Sequence, residues 1–227
     1  MGFDDPRLPV FFAKASDGKY RGLRNGLKNG KSFQGNKLLS QPLITRATPY
    51  LWMTAAEVWF LRAEGALEDW NMKGTPKNLY EKGIRTSLEQ HGIAATASAY
   101  IASTKTPARY AGISGSPSAE APSNITVIWD EQAAKEQKLE RIITQKWIAI
   151  YPLGQEAWSE FRRTGYPKIF PIVDNLSNGT ISTTEQVRRL PFPESEYSGN
   201  RDEVEKAVSL LGGGKDNGGT RLWWDKK

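Results

Sequence analysis

The sequence predicts a mainly α-helical protein, in which one helical hairpin is joined by further helices and long irregular loops. Two helical segments follow strong N-terminal capping signals, and a third carries an apolar stripe at three- and four-residue spacing. The other stretches are rich in Gly, Pro, Ser and Thr, which is typical of loops. The 227 residues are 38% hydrophobic and include eight tryptophans, which is sufficient to bury an ordinary core.

Residues 1–47 are expected to be irregular and basic, with short extended pieces such as LPVFFAK. From Lys14 to Arg46 there are eight Lys or Arg against one acid, Asp17, so this stretch carries +7 and the rest of the chain −1. Such a loop is typical of nucleic-acid or anionic-lipid binding, but also of a solvated loop or a contact with an acidic protein. The glycines at positions 18, 22, 26, 30 and 35 follow no helical spacing and few aromatics accompany them, so no nucleic-acid partner is expected.

Residues 48–92 are predicted to form a helical hairpin. Thr48 and Pro49 suit the N-cap and first position of a helix over YLWMTAAEVWFLRAEGALEDW, which is apolar around much of its circumference. After the break NMKG, Thr75 and Pro76 begin a second helix that ends at Gly92. Small residues at positions 56, 63, 65 and 66 allow the helices to approach closely. The hairpin resembles a tetratricopeptide-type pair, without the full repeat pattern or a second copy.

The rest of the single region 1–227 is divided into three segments. Residues 93–129 are expected to be a loop with a helical turn near 97–103, and residues 130–165 two helices. Residues 166–227 are expected to be loop-rich with one helix, which Asn200 caps and Gly212 ends. The apolar stripe of the first helix in 130–165 consists of Leu139, Ile142, Ile143, Trp147 and Ile150, and Ala157, Trp158 and Phe161 share one face of the second.

Missing residue types exclude several kinds of site. The chain has no cysteine, which excludes disulfides, thiolate metal sites and a cysteine nucleophile. Its single histidine, His91, removes most zinc sites and the Ser-His-Asp triad, and it is expected to be a polar cap at a helix C-terminus. No apolar run approaches membrane-spanning length, and the first ten residues lack a signal-peptide core. We therefore expect no catalytic residues, no metal and no cofactor.

The stretch GGGKDN at residues 212–217 invites comparison with a phosphate-binding loop. Such a loop follows a strand, precedes a helix, and has Ser or Thr after its lysine, whereas here a helix precedes and Asp216 takes the hydroxyl position. The glycines are instead predicted to end the helix and turn the backbone, so that Trp223 and Trp224 dock on the body of the protein. On this hypothesis Trp223→Ala destabilises the fold.

Paired carboxylates and a pair of arginines have a structural interpretation. Glu64 with Glu68, and Glu156 with Glu160, are one helical turn apart, whereas glycosidase carboxylates usually come from separate elements. They are expected to be solvated or salt-bridged. The pair at 162 and 163 follows two aromatic residues, where arginine either clamps an anion or stacks on the rings, and stacking is favoured.

Aromatic residues outside apolar helix faces are the candidate ligand contacts, because a flat ring can stack on the apolar face of a sugar. Trp59, Trp147 and Trp158 lie at apolar helical spacing and are expected in the core. Three others are free of such spacing: one in the basic loop, one at a helix end and one beside a long loop. The predicted ligand-binding residues are Tyr20, Trp70 and Trp129.

Five stretches together resemble the SusD/RagB family of Bacteroidetes outer-membrane lipoproteins. They occur in the family's order and extend over nearly the whole chain: DPRLPVFF, AEVWFLRAEGA, QKWIAIYPLGQEAWSEFRRTGYP, RRLPFPESEYSGN and DNGGTRLWWD. The resemblance implies tetratricopeptide-like helix pairs and a location at the cell surface beside a SusC-like TonB-dependent transporter. It also implies capture of a polysaccharide or oligosaccharide, or in some members a peptide, without catalysis.

The family has a longer N-terminal half with a lipid-anchored cysteine, so this chain is expected to be a C-terminal half whose membrane contact requires an anchor outside it. A face that would pack on the other half is then exposed, which favours a homo-oligomer. Three alternatives to glycan capture follow from the residues: a helical-repeat module that binds a protein or peptide partner, a nucleic-acid binder that uses the basic loop, and, last, an enzyme.

Overall fold

The protein is mainly α-helical, and a computed structural model describes residues 2–28, 37–113 and 117–225. The described elements are, in order, α1 (Leu8–Phe11), β1 (Phe12–Ala13), β2 (Gln41–Pro42), α2 (Ala55–Leu67), α3 (Pro76–Gln90), a 3₁₀ turn (Ala94–Thr96), α4 (Ala97–Ile101), α5 (Lys135–Ala149), α6 (Gly154–Thr164), α7 (Glu194–Gly199) and α8 (Arg201–Ser209). Strands β1 and β2 pair antiparallel, Phe12 opposite Pro42. The extended piece predicted near the N-terminus is therefore partly helical. Two glycines of the predicted basic loop, at positions 30 and 35, lie outside the described residues.

The predicted hairpin is present as α2 and α3, but its first helix begins later than expected. Thr54, not Thr48, is the N-cap of α2, and its hydroxyl accepts a hydrogen bond from the backbone N–H of Glu57 at 3.1 Å. Thr48 instead accepts from the backbone N–H of Thr45 within a turn. The cap of α3 is as predicted, because Thr75 accepts from the backbone N–H of Asn78 at 3.2 Å. The segment before α2 is consequently irregular and exposed.

Helices α2 and α3 pack closely at one glycine. A Cβ atom added to Gly83 of α3 would lie 2.7 Å from the ring of Phe60, which is fully buried on α2. Ala56 and Ala63 of α2 are also fully buried. A Cβ atom added to Gly65 would instead meet Met72 and Trp70, which lie beyond the end of α2. Since a side chain at position 83 would displace the ring, the hairpin requires glycine there.

Helix α5 packs against the hairpin and begins at Lys135, after a turn at Asp130 where the sequence predicted helix. Ile142 and Ile143 are fully buried in the same core as α2 and α3, as the stripe predicted. Trp147 departs from that prediction, because its side chain is 36% exposed. No helix among the described residues is both long and apolar enough to cross a membrane.

The C-terminal part has two described helices, α7 and α8, where the sequence predicted one. Asn200 precedes α8 but its side chain makes no capping hydrogen bond, and the helix ends at Ser209, before Gly212. Gly213 and Gly214 have positive φ, as a turn of the backbone requires. Asp216 stands where a phosphate-binding loop has Ser or Thr. It accepts hydrogen bonds from the side chain of Arg189 and the backbone N–H of Phe192, so internal contacts hold this loop in place.

The two terminal tryptophans behave differently, which corrects the prediction that both dock. Trp223 is 82% exposed, so its removal has little packing to disrupt. Trp224 is partly buried, and its ring lies 5.0 Å from the guanidinium carbon of Arg162. Next to it, Asp225 is buried and accepts from Arg188 at 2.5 and 2.7 Å. The chain end is thus anchored by Trp224 and Asp225 rather than by Trp223.

Candidate functional site

A groove of about 970 Å³ lies where α5 and α6 meet three loops, at residues 20–25, 107–113 and 167–170. Its walls are mainly apolar and aromatic. The aromatic residues that line it are Phe3, Phe12, Tyr20, Tyr110, Trp147, Tyr151, Trp158, Phe161 and Phe170. Ligand sites in proteins are commonly concave, apolar and equipped with a few polar groups, which makes this groove the candidate site.

Trp147 presents the freest indole of the groove. It stands on α5 next to the buried side chains of Lys146 and Ile148, so the helix fixes its position while the ring faces outward. Trp158 of α6 is held more tightly. Its indole N–H donates to the carbonyl of Val187 at 2.9 Å, and the guanidinium of Arg162 stacks 3.7 Å from its ring. This stacking is the structural role predicted for the arginine.

Only one of the three predicted ligand residues lies in the groove. Tyr20 lines it, with the ammonium of Lys14 5.9 Å from its ring. Trp70 lies beyond the end of α2, outside the groove lining, and is 66% exposed. The expectation that Trp129 is exposed is wrong. It is 7% exposed because its ring packs 5.3 Å from that of Tyr80 in the core, and its indole N–H donates to Glu131.

Four cations line the groove, and among its described lining residues there is no Asp or Glu. Arg21 is paired with Asp17 at 2.6 Å, and Arg109 lies 3.7 Å from Glu120. Neither Arg24 nor Lys168 forms an ion pair with any described residue. The groove therefore has a local excess of positive charge on apolar walls.

Two buried polar atoms of the groove residues lack a hydrogen-bond partner in the described part of the chain. They are the hydroxyl of Thr144, on α5, and the Nε of Arg24. Buried polar groups without a partner are uncommon in folded proteins, since each costs free energy. A polar ligand atom or a water at this wall would lower that cost.

The predicted carboxylate pairs are salt-bridged. Glu64 accepts from Arg163 at 2.6 Å, and Glu68 from Lys135 at 2.8 Å. Glu156 and Glu160 lie 3.2 and 3.3 Å from the ammonium of Lys146. These ion pairs join neighbouring helices, so none of the four carboxylates faces another across a cleft.

His91 is the C-cap residue of α3, as expected, and its ring lies 5.0 Å from that of Phe11. Burial, followed by the charge of Arg7, lowers the pKa of His91. No group of metal-binding side chains occurs within residues 2–28, 37–113 and 117–225. Its Nε2 is buried without a hydrogen-bond partner among the described residues, so the ring packs at the helix end but does not cap the helix through a polar bond.

Comparison with known protein families assigns this chain to one of them. The family model described as SusD-like, SusD and RagB outer membrane lipoprotein, matches residues 1–225. This chain belongs to the SusD/RagB family. A comparison with curated proteins finds no match.

Solved structures agree with this assignment. A SusD homologue from Bacteroides thetaiotaomicron is 45% identical with a TM-score of 0.90, and the match covers 99% of this chain and 49% of that one. A chitin-binding SusD homologue from Flavobacterium johnsoniae is 47% identical with a TM-score of 0.90, over 99% and 47% of the two chains. A SusD homologue from Bacteroides uniformis is 44% identical with a TM-score of 0.93, and the match covers 99% of this chain and 47% of that one. The SusD-like chain thus spans about half the length of these relatives.

The sequence does not indicate Trp147 as a candidate ligand contact of this SusD-like chain. Its spacing on α5 is that of core residues, and its neighbours Ile143 and Ile148 are indeed buried. Helical spacing does not reveal that no element of the described chain fully covers α5 at this position. The polar residues of α5 do not reveal it either, because Gln145 and Lys146, which precede Trp147 directly, are both buried.

Proposed function

We propose that this SusD-like chain captures a polysaccharide or oligosaccharide at the cell surface, without catalysis, for delivery to a SusC-like TonB-dependent transporter. The observation that carries the proposal is the family match over residues 1–225. A relative that is 47% identical, a chitin-binding SusD homologue, supports the proposal. We also propose an outer-membrane location, because the family is one of outer-membrane lipoproteins.

The groove supplies the chemistry that glycan capture requires. A sugar ring has an apolar face of C–H groups, which stacks on an aromatic ring, and a rim of hydroxyls, which bond to polar groups. In the groove Trp147 offers an exposed indole and Tyr20 a phenol ring on the opposite loop. Trp70, exposed outside the groove, remains a separate candidate contact, whereas the burial of Trp129 leaves it no ring face for a polysaccharide.

The groove also favours binding over hydrolysis. Glycoside hydrolysis requires a pair of carboxyl groups on either side of the scissile bond. None of the described lining residues is Asp or Glu, so such a pair is absent from that part of the groove. A sugar held there would be bound and released unchanged.

Native affinity electrophoresis against plant, host and microbial polysaccharides tests the proposal. We expect at least one polysaccharide to retard the chain, and Trp147→Ala to weaken that binding about tenfold or more, because loss of a stacking contact costs roughly 1–3 kcal/mol. Trp223→Ala is the matched control, since it removes an indole that is 82% exposed and outside the groove lining. Equal retardation of both variants would refute the groove as the site.

A second candidate, a module that binds a protein partner, is favoured by exposed apolar side chains before and on α2. Tyr50, Trp52 and Met53 are exposed in the irregular segment, and Val58 and Leu61 on the helix. Large apolar patches on soluble proteins commonly mark interfaces. We propose that a second copy of this chain covers these exposed side chains when no other protein partner is present.

Gel filtration at several protein concentrations tests this candidate. We expect the apparent mass to rise with concentration, and Trp52→Ser to reduce the rise, because it removes the most exposed indole of the patch, 86% exposed. Trp223→Ser again serves as the matched control. A single monomeric peak at every concentration would contradict self-association through this surface.

A further inference from the structure

We infer that the groove between α5, α6 and the three loops selects a glycan that carries carboxylate groups, such as a chain of uronic acids. The inference rests on the proposed function and makes its substrate class specific. It follows from charge: the described lining combines aromatic rings with four cations and no acid. A neutral glycan would stack on the rings and accept hydrogen bonds from the cations, whereas an acidic glycan would in addition balance their charge.

Arg24 is the first of the two cations that lack an ionic partner. Its guanidinium is already oriented, because one NH₂ group donates to the carbonyl of Pro171 at 2.8 Å and the other to that of Pro117 at 3.4 Å. The ring of Phe170 lies 5.8 Å from its central carbon. Backbone carbonyls orient a guanidinium without cancelling its charge. A carboxylate at this wall would therefore meet a cation whose conformational entropy is already lost.

Lys168 is the second such cation, and it lies on the loop 167–170. Its side chain is exposed, and its ammonium stands 4.5 Å from the ring of Tyr166. Because it is solvated, its contribution to binding is expected to be smaller than that of Arg24 and more sensitive to salt. Arg21 and Arg109, which have carboxylate partners, are expected to add less.

The inference gives the cations of this mainly apolar groove a role in ligand binding. A cation beside apolar walls loses part of its hydration, and an opposite charge in a ligand restores the lost stabilisation. Single-stranded nucleic acid would also satisfy stacking and charge. The match to the SusD/RagB family over 1–225 favours a glycan, and an oligonucleotide is therefore included in the experiment as a competing ligand.

The test measures binding of the 227-residue chain to three polyuronates: polygalacturonate, alginate and hyaluronate. Each is compared with its carboxyl-reduced form, which keeps the backbone and removes the charge. Chitohexaose and a single-stranded oligonucleotide are measured in parallel, all at about 20 and about 200 mM NaCl. We expect at least one polyuronate to bind, its reduced form to bind at least about tenfold more weakly, and salt to weaken the acidic ligand only.

Variants distinguish binding in the groove from general electrostatic attraction of an acidic ligand to a chain of net charge +6. We expect Arg24→Gln to weaken polyuronate binding about tenfold and Lys168→Gln a few-fold, since hydrogen bonds between charged groups contribute about this much. Lys77→Gln is the matched control: it removes the same charge from an exposed site on α3, outside the groove lining. Thermal melting of each variant checks that it is folded. If Arg24→Gln does not fold, Lys168→Gln still tests the inference.

The outcomes distinguish the two proposals. Neutral forms or chitohexaose that bind as well as the polyuronates would overturn the acidic class and keep glycan capture. An oligonucleotide that binds more tightly than every polyuronate, or an equal effect of Lys77→Gln and Lys168→Gln, would also overturn it. If no glycan binds, acidic or neutral, both the inference and the proposed function of this chain are refuted.

Discussion

Replacing Arg7 by Ala is expected to lower the free energy of unfolding by about 3–5 kcal/mol, since removal of one partner leaves a buried charge unpaired. The side chain is fully buried and bonds twice to Asp5, at 2.7 and 2.9 Å. It also donates to Ser87 on α3 and to Gln145 on α5. The variant therefore loses the hydrogen bonds from Arg7 that connect the N-terminal segment to both helices.

Chemical denaturation of Arg7→Ala, of a control and of a double-mutant cycle of Asp5→Asn and Arg7→Leu measures this effect. Arg201→Ala is the control, because its pair with Glu205 is exposed on both sides and such pairs contribute about 0–1 kcal/mol. The double variant Asp5→Asn with Arg7→Leu removes both charges, so its loss is expected to be smaller than the sum of the two single losses. A loss below about 1 kcal/mol for Arg7→Ala would contradict the role of the buried pair.

Replacing Lys146 by Met is expected to cost a similar amount, about 3–5 kcal/mol near neutral pH. The lysine is 1% exposed, and its ammonium lies 3.5 Å from Glu57 of α2 and 3.3 Å from Glu160 of α6. Methionine fills similar volume but leaves two buried carboxylates without this cation. Glu160 keeps Arg163, whereas Glu57 has no other ion pair in the described part of the chain.

The cost is expected to depend on pH with a definite sign. In the native chain burial alone would raise the pKa of Glu160, but hydrogen bonds from Arg163 and the charge of Lys146 outweigh it and hold the pKa below the ordinary 4.5. Its stabilisation is thus present above pH 4.5 and is lost as pH falls through the lowered pKa. In Lys146→Met the Glu160 carboxylate can avoid part of the cost of a buried charge by taking up a proton. The difference between variant and native chain should therefore shrink in acid.

Urea unfolding at several pH values between about 3.5 and 7 follows this difference. Adding Glu57→Gln to Lys146→Met removes the buried charge that the first substitution leaves unpaired, and we expect it to restore part of the lost stability at pH 7. A difference that stays constant over the pH range would show that lost packing, rather than unpaired charge, sets the cost.

Much of the helical framework could be predicted from the sequence. The cap at Thr75, the buried alanines of α2 and the stripe Ile142–Ile143 depend on local hydrogen bonding and on periodicity, which the sequence contains directly. The predicted start of α2 is six residues too early, because Thr48 and Pro49 form a local start signal, yet Thr48 takes part in a turn instead. Packing against α3 and α5 begins only after Thr54.

The site was less predictable, because exposure belongs to the assembled fold. Trp129 was expected to be free beside a loop, yet Tyr80, 49 positions earlier, covers its ring. Trp147 was expected in the core, yet no element of the described chain covers it fully. Likewise the groove brings Tyr20 near α5 and α6, elements more than 110 positions away.

By itself, then, the sequence determined the helical class, the cap of α3, the chain turn at the glycines and, through motifs spread over the whole length, the membership of the SusD/RagB family. These follow from short-range geometry or from residue identities in order. The tertiary structure alone decided which tryptophans are exposed, which charges are paired and where cations remain unpaired beside aromatic rings. Those properties depend on contacts between residues far apart in the chain, and no local pattern records them.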